Sequence, residues 1–180
     1  ATPLIVIALG LAVCYRSNVW NIGAEGQFLL GVLTGGGVAL WLTTSGIVLP
    51  KIIAVPLVLI GGVFGGMAWA SLTALLRDKF NASEILVSLM LVYVAQQLVN
   101  YMVFGPWKDP AGFNFPQTKN FDASTWLPNL MGGTRLHIGF LIALALVALT
   151  WVFMFRLFRG YQLQVGGLAP AAARYAGFSA

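Results

Sequence analysis

Three polar side chains stand close together between apolar runs near the start of this chain: Asn21, Glu25 and Gln27, with Gly23 and Gly26 among them. A carboxylate inside or at the edge of a hydrophobic span is expensive, so it faces a cavity or a partner. The glycines let the backbone unwind or a second helix come close. Irregular backbone at membrane depth is tolerated only where protein or water covers it. The stretch therefore fits a solute pathway. It fits equally a helix N-terminus at the membrane surface, where the helix dipole favours Glu25. A second polar set, Tyr93, Gln96, Gln97 and Asn100, recurs at helical spacing and shares one face. Such a stripe faces the bundle interior or a water-filled path rather than lipid, so interhelical hydrogen bonding and pathway lining both stay open.

Other chemistry finds no residues to carry it. His137 is the only histidine and Cys14 the only cysteine, which leaves no metal cluster and no intrachain disulfide. His137, at a loop–span boundary, reads as an interfacial residue rather than a base. No GxxxxGK[ST] phosphate loop occurs, so the chain cannot itself run an ATPase. No catalytic residue, metal site or cofactor is expected.

Those polar groups must be positioned by membrane helices. Apolar residues make up 59% of the chain and charged residues 8%, with mean hydropathy +0.86. A soluble domain carries roughly 25% charge. The composition predicts an all-α, polytopic membrane protein. The net charge of +5 is spread over connectors, and no basic run or nucleic-acid motif accompanies it. It reads as positive-inside topology, and no nucleic-acid partner is expected.

The hydropathy pattern predicts about five membrane segments. The first run, 3–14, is too short to span alone, since spanning takes about 20 residues. It is either truncated or one half of a broken helix continuing through Asn21–Gln27. Further runs cover 28–44 and 47–76. The latter carries Gly61, Gly62, Gly65 and Gly66, two small-xxx-small pairs that read as packing seams. Arg77-Asp78-Lys79 interrupts the hydrophobicity, and Asn81 with Glu84 forms a plausible N-cap pair for the next helix, which reaches about Phe104. Residues 105–137, punctuated by Pro106, Pro110, Gly112, Pro116 and Pro128, form the one long polar connector. The last span is about Ile138 to Phe155, followed by a polar, Ala-rich tail over 160–180.

Charged connectors set the orientation. One side holds Arg16, Arg77, Lys79, Arg156, Arg159 and Arg174, and the other Lys51, Lys108, Lys119 and Arg135. This bias places loop 77–83 and the tail 160–180 in the cytoplasm and loop 105–137 outside. The chain starts inside an apolar run without Met or a basic n-region and stops just past a motif. It is read as a fragment of a single transmembrane domain over 1–180, without a signal peptide.

Four segments carry a family resemblance. Trp20-Asn21-Ile22-Gly23-Ala24-Glu25-Gly26-Gln27-Phe28-Leu29-Leu30-Gly31 resembles the "FNIGxEGQ" signature of ABC importer permeases in the branch grouped with branched-chain amino acid, ribose and nucleoside systems. Glu84 to Leu91 resembles its "EVIxTLML" segment, and Gly105 to Pro110 with Pro116-Gln117 its "GPLKDPxGxxxPQS" outer loop. Gly160 to Gly177 is similar to its cytoplasmic coupling segment, usually "GxxLRAVGxNPxAAxYAG", through Gly166, Pro170, Ala171, Ala172, Ala173, Arg174, Tyr175 and Gly177. The four lie in register over most of the chain. Two departures stand out. Gln164 replaces the usual Arg, which removes a charge from the coupling segment, and Val92 replaces a common Asn, which removes a polar group from the expected path.

The resemblance implies a type II importer-like permease in the bacterial cytoplasmic (inner) membrane. It implies as partners a separate ABC ATP-binding subunit that uses the ATP, a second permease subunit, an extracytoplasmic substrate-binding lipoprotein and the surrounding lipid bilayer. The substrates it implies are nucleosides, then simple sugars. On residue physics alone, Pro170 suits the first turn of a short helix, the three alanines favour helix, and Gly177 ends it. Such a segment is either an interfacial turn or a smooth helix that docks into a partner groove, and the resemblance favours docking. An ion-coupled secondary transporter using Glu25 and an intramembrane enzyme are the alternatives. The first would show an inverted repeat, which is not visible, and the second lacks a nucleophile and base beside Glu25.

Overall fold

The computed structural model describes residues 2–47, 49–113, 115–131, 133 and 136–178. These residues form helices α1 Thr2–Arg16, α2 Ala24–Thr44, α3 Lys51–Phe80, α4 Glu84–Phe104, α5 Gly139–Arg156, α6 Phe158–Leu168 and α7 Pro170–Tyr175, with a 3-10 turn at Ala123–Thr125. Two isolated bridges, Lys108 with Thr118 and Asn129 with His137, are the only extended pairings among them. Helices α2 to α5 are each long and apolar enough to cross a membrane, while α1 is apolar but shorter. Arg135, used above for orientation, and Ala180, the end of the expected tail, lie outside the described residues.

The chain divides into two compact units. One is Ile22–Trp126, and the other combines the segment ending at Asn21 with the segment from Leu127 onward. In the first, α2 runs antiparallel to α3 with their backbones nearly touching, because glycines face each other along the seam. A Cβ on Gly62 would sit 3.2 Å from the Gly31 carbonyl, one on Gly31 3.1 Å from the Gly62 carbonyl, and one on Gly35 3.0 Å from the Val58 carbonyl. Thr34 adds a polar tie, its hydroxyl donating to Gly61 O at 2.9 Å across the seam. The expected packing role of Gly61, Gly62, Gly65 and Gly66 is what this seam displays. Helix α4 lies parallel to α2 and buries Ser88, Val92 and Ala95. Gly23 meets Ser88 there, and Gly26 meets the Val92 backbone.

Two boundaries differ from the sequence reading. Arg77-Asp78-Lys79 does not end α3, which continues to Phe80 with Arg77 and Lys79 in its last turn. Cations are favourable at that end of the helix dipole. Asn81 is therefore not an N-cap. It caps the C-terminus of α3 in the left-handed region, φ 50°, a conformation Asn tolerates. Ser83 precedes α4 without a side-chain cap, and Glu84 instead pairs with Arg77.

In the other unit, α1 packs on α5, and α6 and α7 fold back after it. The expected polar tail over 160–180 is helical for much of its length. Gln164 explains part of this. Its amide donates to Met154 O at 2.7 Å, tying α6 to α5, and its carbonyl accepts from Arg16 at 3.4 Å. The Arg16 guanidinium also lies over the Phe155 ring, 5.5 Å from its centroid. Gln164 thus fills a local bonding role, and an Arg there would face Arg16.

Candidate functional site

Helix α2 starts inside the apolar thickness of its neighbours. Gly26 meets α4 at Val92 and approaches the indole nitrogen of Trp69 on α3. At 1.5 Å per residue, Val92 lies about 12 Å beyond the start of α4, and Trp69 about 16 Å before the end of α3. The first helical bond of α2, Gln27 N–H to Gly23 O at 3.1 Å, forms at this level. Glu25 and Gln27 are thus in the first turn of a helix, as one of the two readings had it, but that turn is inset rather than at the level of the charged α3–α4 connector. The glycines explain the geometry. Gly23 and Gly26 let the start of α2 press onto α4, where any side chain would collide with Ser88 or the Val92 backbone.

The inset brings two of the sequence candidates together. Gln96 donates its amide to Glu25 Oε1 at 3.3 Å. Gln96 lies about 18 Å along α4 from its first residue, roughly the middle of a 30 Å hydrocarbon core. Glu25 is exposed on this chain and Gln96 half-buried. Tyr93, Gln97 and Asn100 are exposed on α4, beside the face that buries Val92 and Ala95. Gln27 is half-buried, with its carbonyl turned toward Gly66 across the α2–α3 seam. Asn21 belongs to the other unit, where its backbone N–H donates to Val19 O at 3.2 Å. Val92, in place of a polar residue, is buried against Gly26, so that position packs helices.

Sequence reasoning missed Trp69. Its indole Nε1 is buried beside Gly26 with no hydrogen-bond partner among the described residues. A single Trp in a Gly-rich span gives no signal of such a placement. Among the described residues, no group of acidic, His or Cys side chains could hold a metal. His137 pairs with Asn129 in a short bridge.

The far ends of α2 and α4 carry the polar connector. Trp107 lies on Gly37, where a Cβ would come within 3.2 Å of the indole. The Asp122 backbone N–H donates to Thr43 Oγ1 at 3.1 Å, pinning the 3-10 turn to the end of α2. Asp122 caps that turn by accepting from Ser124 N–H at 2.8 Å. Hydrogen bonds from Ser124, its side chain first and then its backbone, hold the Asp122 carboxyl below the usual carboxylate value.

Helix α7 has the form expected of the 170–177 segment. Pro170 opens it, and Gly177, φ 75°, turns the chain out after it. Its alanines are not equivalent. Ala173 is 1% exposed and packs within its own unit, whereas Ala171, Ala172 and Arg174 are exposed and Tyr175 is 97% exposed. Gly166 lies in α6, with open space where a Cβ would be.

Several apolar helices of spanning length, with a polar cluster at depth, define a multi-pass membrane protein. The chain belongs to the branched-chain amino acid transport system / permease component family, which matches residues 1–180. It is 36% identical to the glucose ABC transporter permease protein of Haloferax volcanii, over 99% of this chain and 48% of that protein. It is 29% identical to the guanosine ABC transporter permease protein of Bacillus subtilis, over 99% of this chain and 50% of that protein. The nucleoside ABC transporter permease protein of Lactococcus lactis is 28% identical, with the same two coverages. The chain thus spans about half the length of the curated relatives it matches. No solved structure matches it significantly.

Proposed function

We propose that this chain is part of a permease subunit of an ATP-driven importer that moves a sugar or nucleoside across the cytoplasmic (inner) membrane. The observation that carries this reading is the Gln96–Glu25 hydrogen bond within the apolar thickness. An exposed carboxylate there needs water or protein around it, and a polar path through the assembled transporter supplies both. Tyr93, Gln96, Gln97 and Asn100 offer uncharged donors and acceptors to hydroxyl-rich solutes. Glu25 and Gln27 form the start of that path. The substrates for which those relatives are named, glucose, guanosine and nucleosides, share that chemistry.

In this reading a separate ATP-binding subunit hydrolyses ATP and takes α7 into a groove. A second permease subunit covers the exposed face of α4, and an extracytoplasmic lipoprotein delivers substrate to loop 105–137. The test is uptake of labelled glucose and guanosine by cells with and without the gene for this protein, and again without its neighbouring ATPase. Loss of uptake in both deletions supports the proposal. Uptake that persists without the ATPase overturns it in favour of an ion-coupled carrier.

A further inference from the structure

The small-residue stripe of α3 stops where α2 begins. Gly62 and Gly66 lie against the Gly31 and Gln27 carbonyls, and an added Cβ on either would sit 3.2 Å from the oxygen it faces. Trp69, three residues on, comes next on that face. Its indole Nε1 lies 3.3 Å from where a Cβ of Gly26 would be. That nitrogen is buried and has no hydrogen-bond partner among the described residues. We propose that the Trp69 indole N–H is a solute-binding donor of the transport path, bonding an oxygen or ring nitrogen of the solute once the first turn of α2 moves off it. The inference rests on the permease reading above.

Packing does not account for the N–H. A phenyl ring fills space beside a glycine without burying a donor, whereas an indole donates and cannot accept. An unsatisfied donor is most expensive at membrane depth, where lipid offers no acceptor, and Trp69 lies about 16 Å from the end of α3. Buried donors are hydrogen-bonded as a rule, so a partner that arrives at another step of the cycle gives this one its use. The position suits a solute. Gly26 follows Glu25, whose carboxylate accepts from Gln96 at 3.3 Å, so the indole N–H and the Gln96 amide address the same turn of α2. Glu25 is exposed, and displacement of that one turn opens the indole N–H to the path Glu25 borders. Both donors are uncharged, which matches the hydroxyl and carbonyl acceptors of sugars and nucleosides.

The experiment measures initial-rate uptake of glucose and guanosine by cells carrying the full-length permease and its complex. Trp69→Phe removes the N–H and shrinks the ring. Replacing Trp69 with benzothienylalanine keeps the shape and exchanges only the N–H for sulfur. One neutral hydrogen bond contributes enough that both variants should raise the half-saturation concentration about fivefold, with the maximal rate and the amount of assembled complex unchanged in the isostere. Among analogues of the transported solute that each lack one acceptor, one should show equal half-saturation in wild type and isostere, because neither can then form the bond. A wild-type half-saturation concentration in the isostere would overturn the inference and leave the permease reading intact. Absence of ATPase-dependent uptake by the wild type would overturn that reading, and the inference with it.

Discussion

Gln96 and Glu25 meet at 3.3 Å although 71 residues separate them in the chain. Their meeting depends on the offset between α2 and α4, which Gly23 and Gly26 set by close contact with Ser88 and Val92. If this pair lines the transport path, replacing Gln96 and Asn100 with Leu together should reduce uptake while leaving the complex assembled. Glu25→Gln should keep the hydrogen bond but remove the charge, giving an intermediate loss. The readout is initial-rate uptake together with the amount of assembled complex. Wild-type kinetics in the Leu pair would mean that this face seals two helices.

Gly62→Val should loosen the α2–α3 seam. The added side chain would press on the Gly31 carbonyl, already only 3.2 Å from a bare Cβ. Overpacking of this kind costs about 1–3 kcal/mol, visible as a lower midpoint in thermal unfolding of the purified complex. Gly10→Val is the control, since nothing lies within 4 Å of a Cβ there. Equal midpoints for the two variants would show that the seam tolerates separation.

Asn120 is exposed in the polar connector. With Cys14→Ser as background, Asn120→Cys should react with a membrane-impermeant thiol reagent added to intact cells. Labelling that requires opening the cells would invert the orientation and move α7 to the outside.

The two neighbouring alanines of α7 separate docking from folding. Ala172→Trp places a large ring on an exposed position. If α7 is the docking element of the proposed complex, this variant should release the ATPase subunit, or uncouple its hydrolysis from the loaded lipoprotein, with the permease still folded. Ala173→Trp should instead lower the yield of folded protein, because Ala173 is already packed within its own unit. Normal co-purification and stimulated hydrolysis with Ala172→Trp would move the motor contact to loop 77–83 or to another part of the full-length permease.

The spans were legible because the membrane demands unbroken apolar runs, and the glycine pairs of α3 were legible because close helix packing needs them at fixed spacing. Helix α7 was readable from Pro170 and Gly177 for similarly local reasons. The continuation of α3 through Arg77 and Lys79 was not, because a charge cluster looks the same whether it ends a helix or decorates its last turn. Asn81 illustrates the point, since the same residue type suits an N-cap and a left-handed C-cap. Helix α6 was hidden by Gly160, Gly166 and Gly167, and the bonds of Gln164 to Met154 and Arg16 supply what its propensity lacks. Of the polar candidates, helical spacing gave the α4 stripe, but nothing local pointed to Glu25 as a partner of Gln96.

The inset start of α2 has an energetic consequence for anything hydrophilic moving beside it. A continuous helix would present one dehydration barrier as thick as the bilayer core, roughly 30 Å. A helix that begins part-way leaves its first backbone N–H groups without intrahelical acceptors, and here that first turn carries Glu25, which bonds Gln96 of α4. In the proposed path, a solute that has shed its hydration shell would meet replacement donors and acceptors before it had crossed the core. The climb would then be divided into two shorter ones with a resting place between them. Because barrier heights enter rates exponentially, halving the climb speeds crossing far more than twofold.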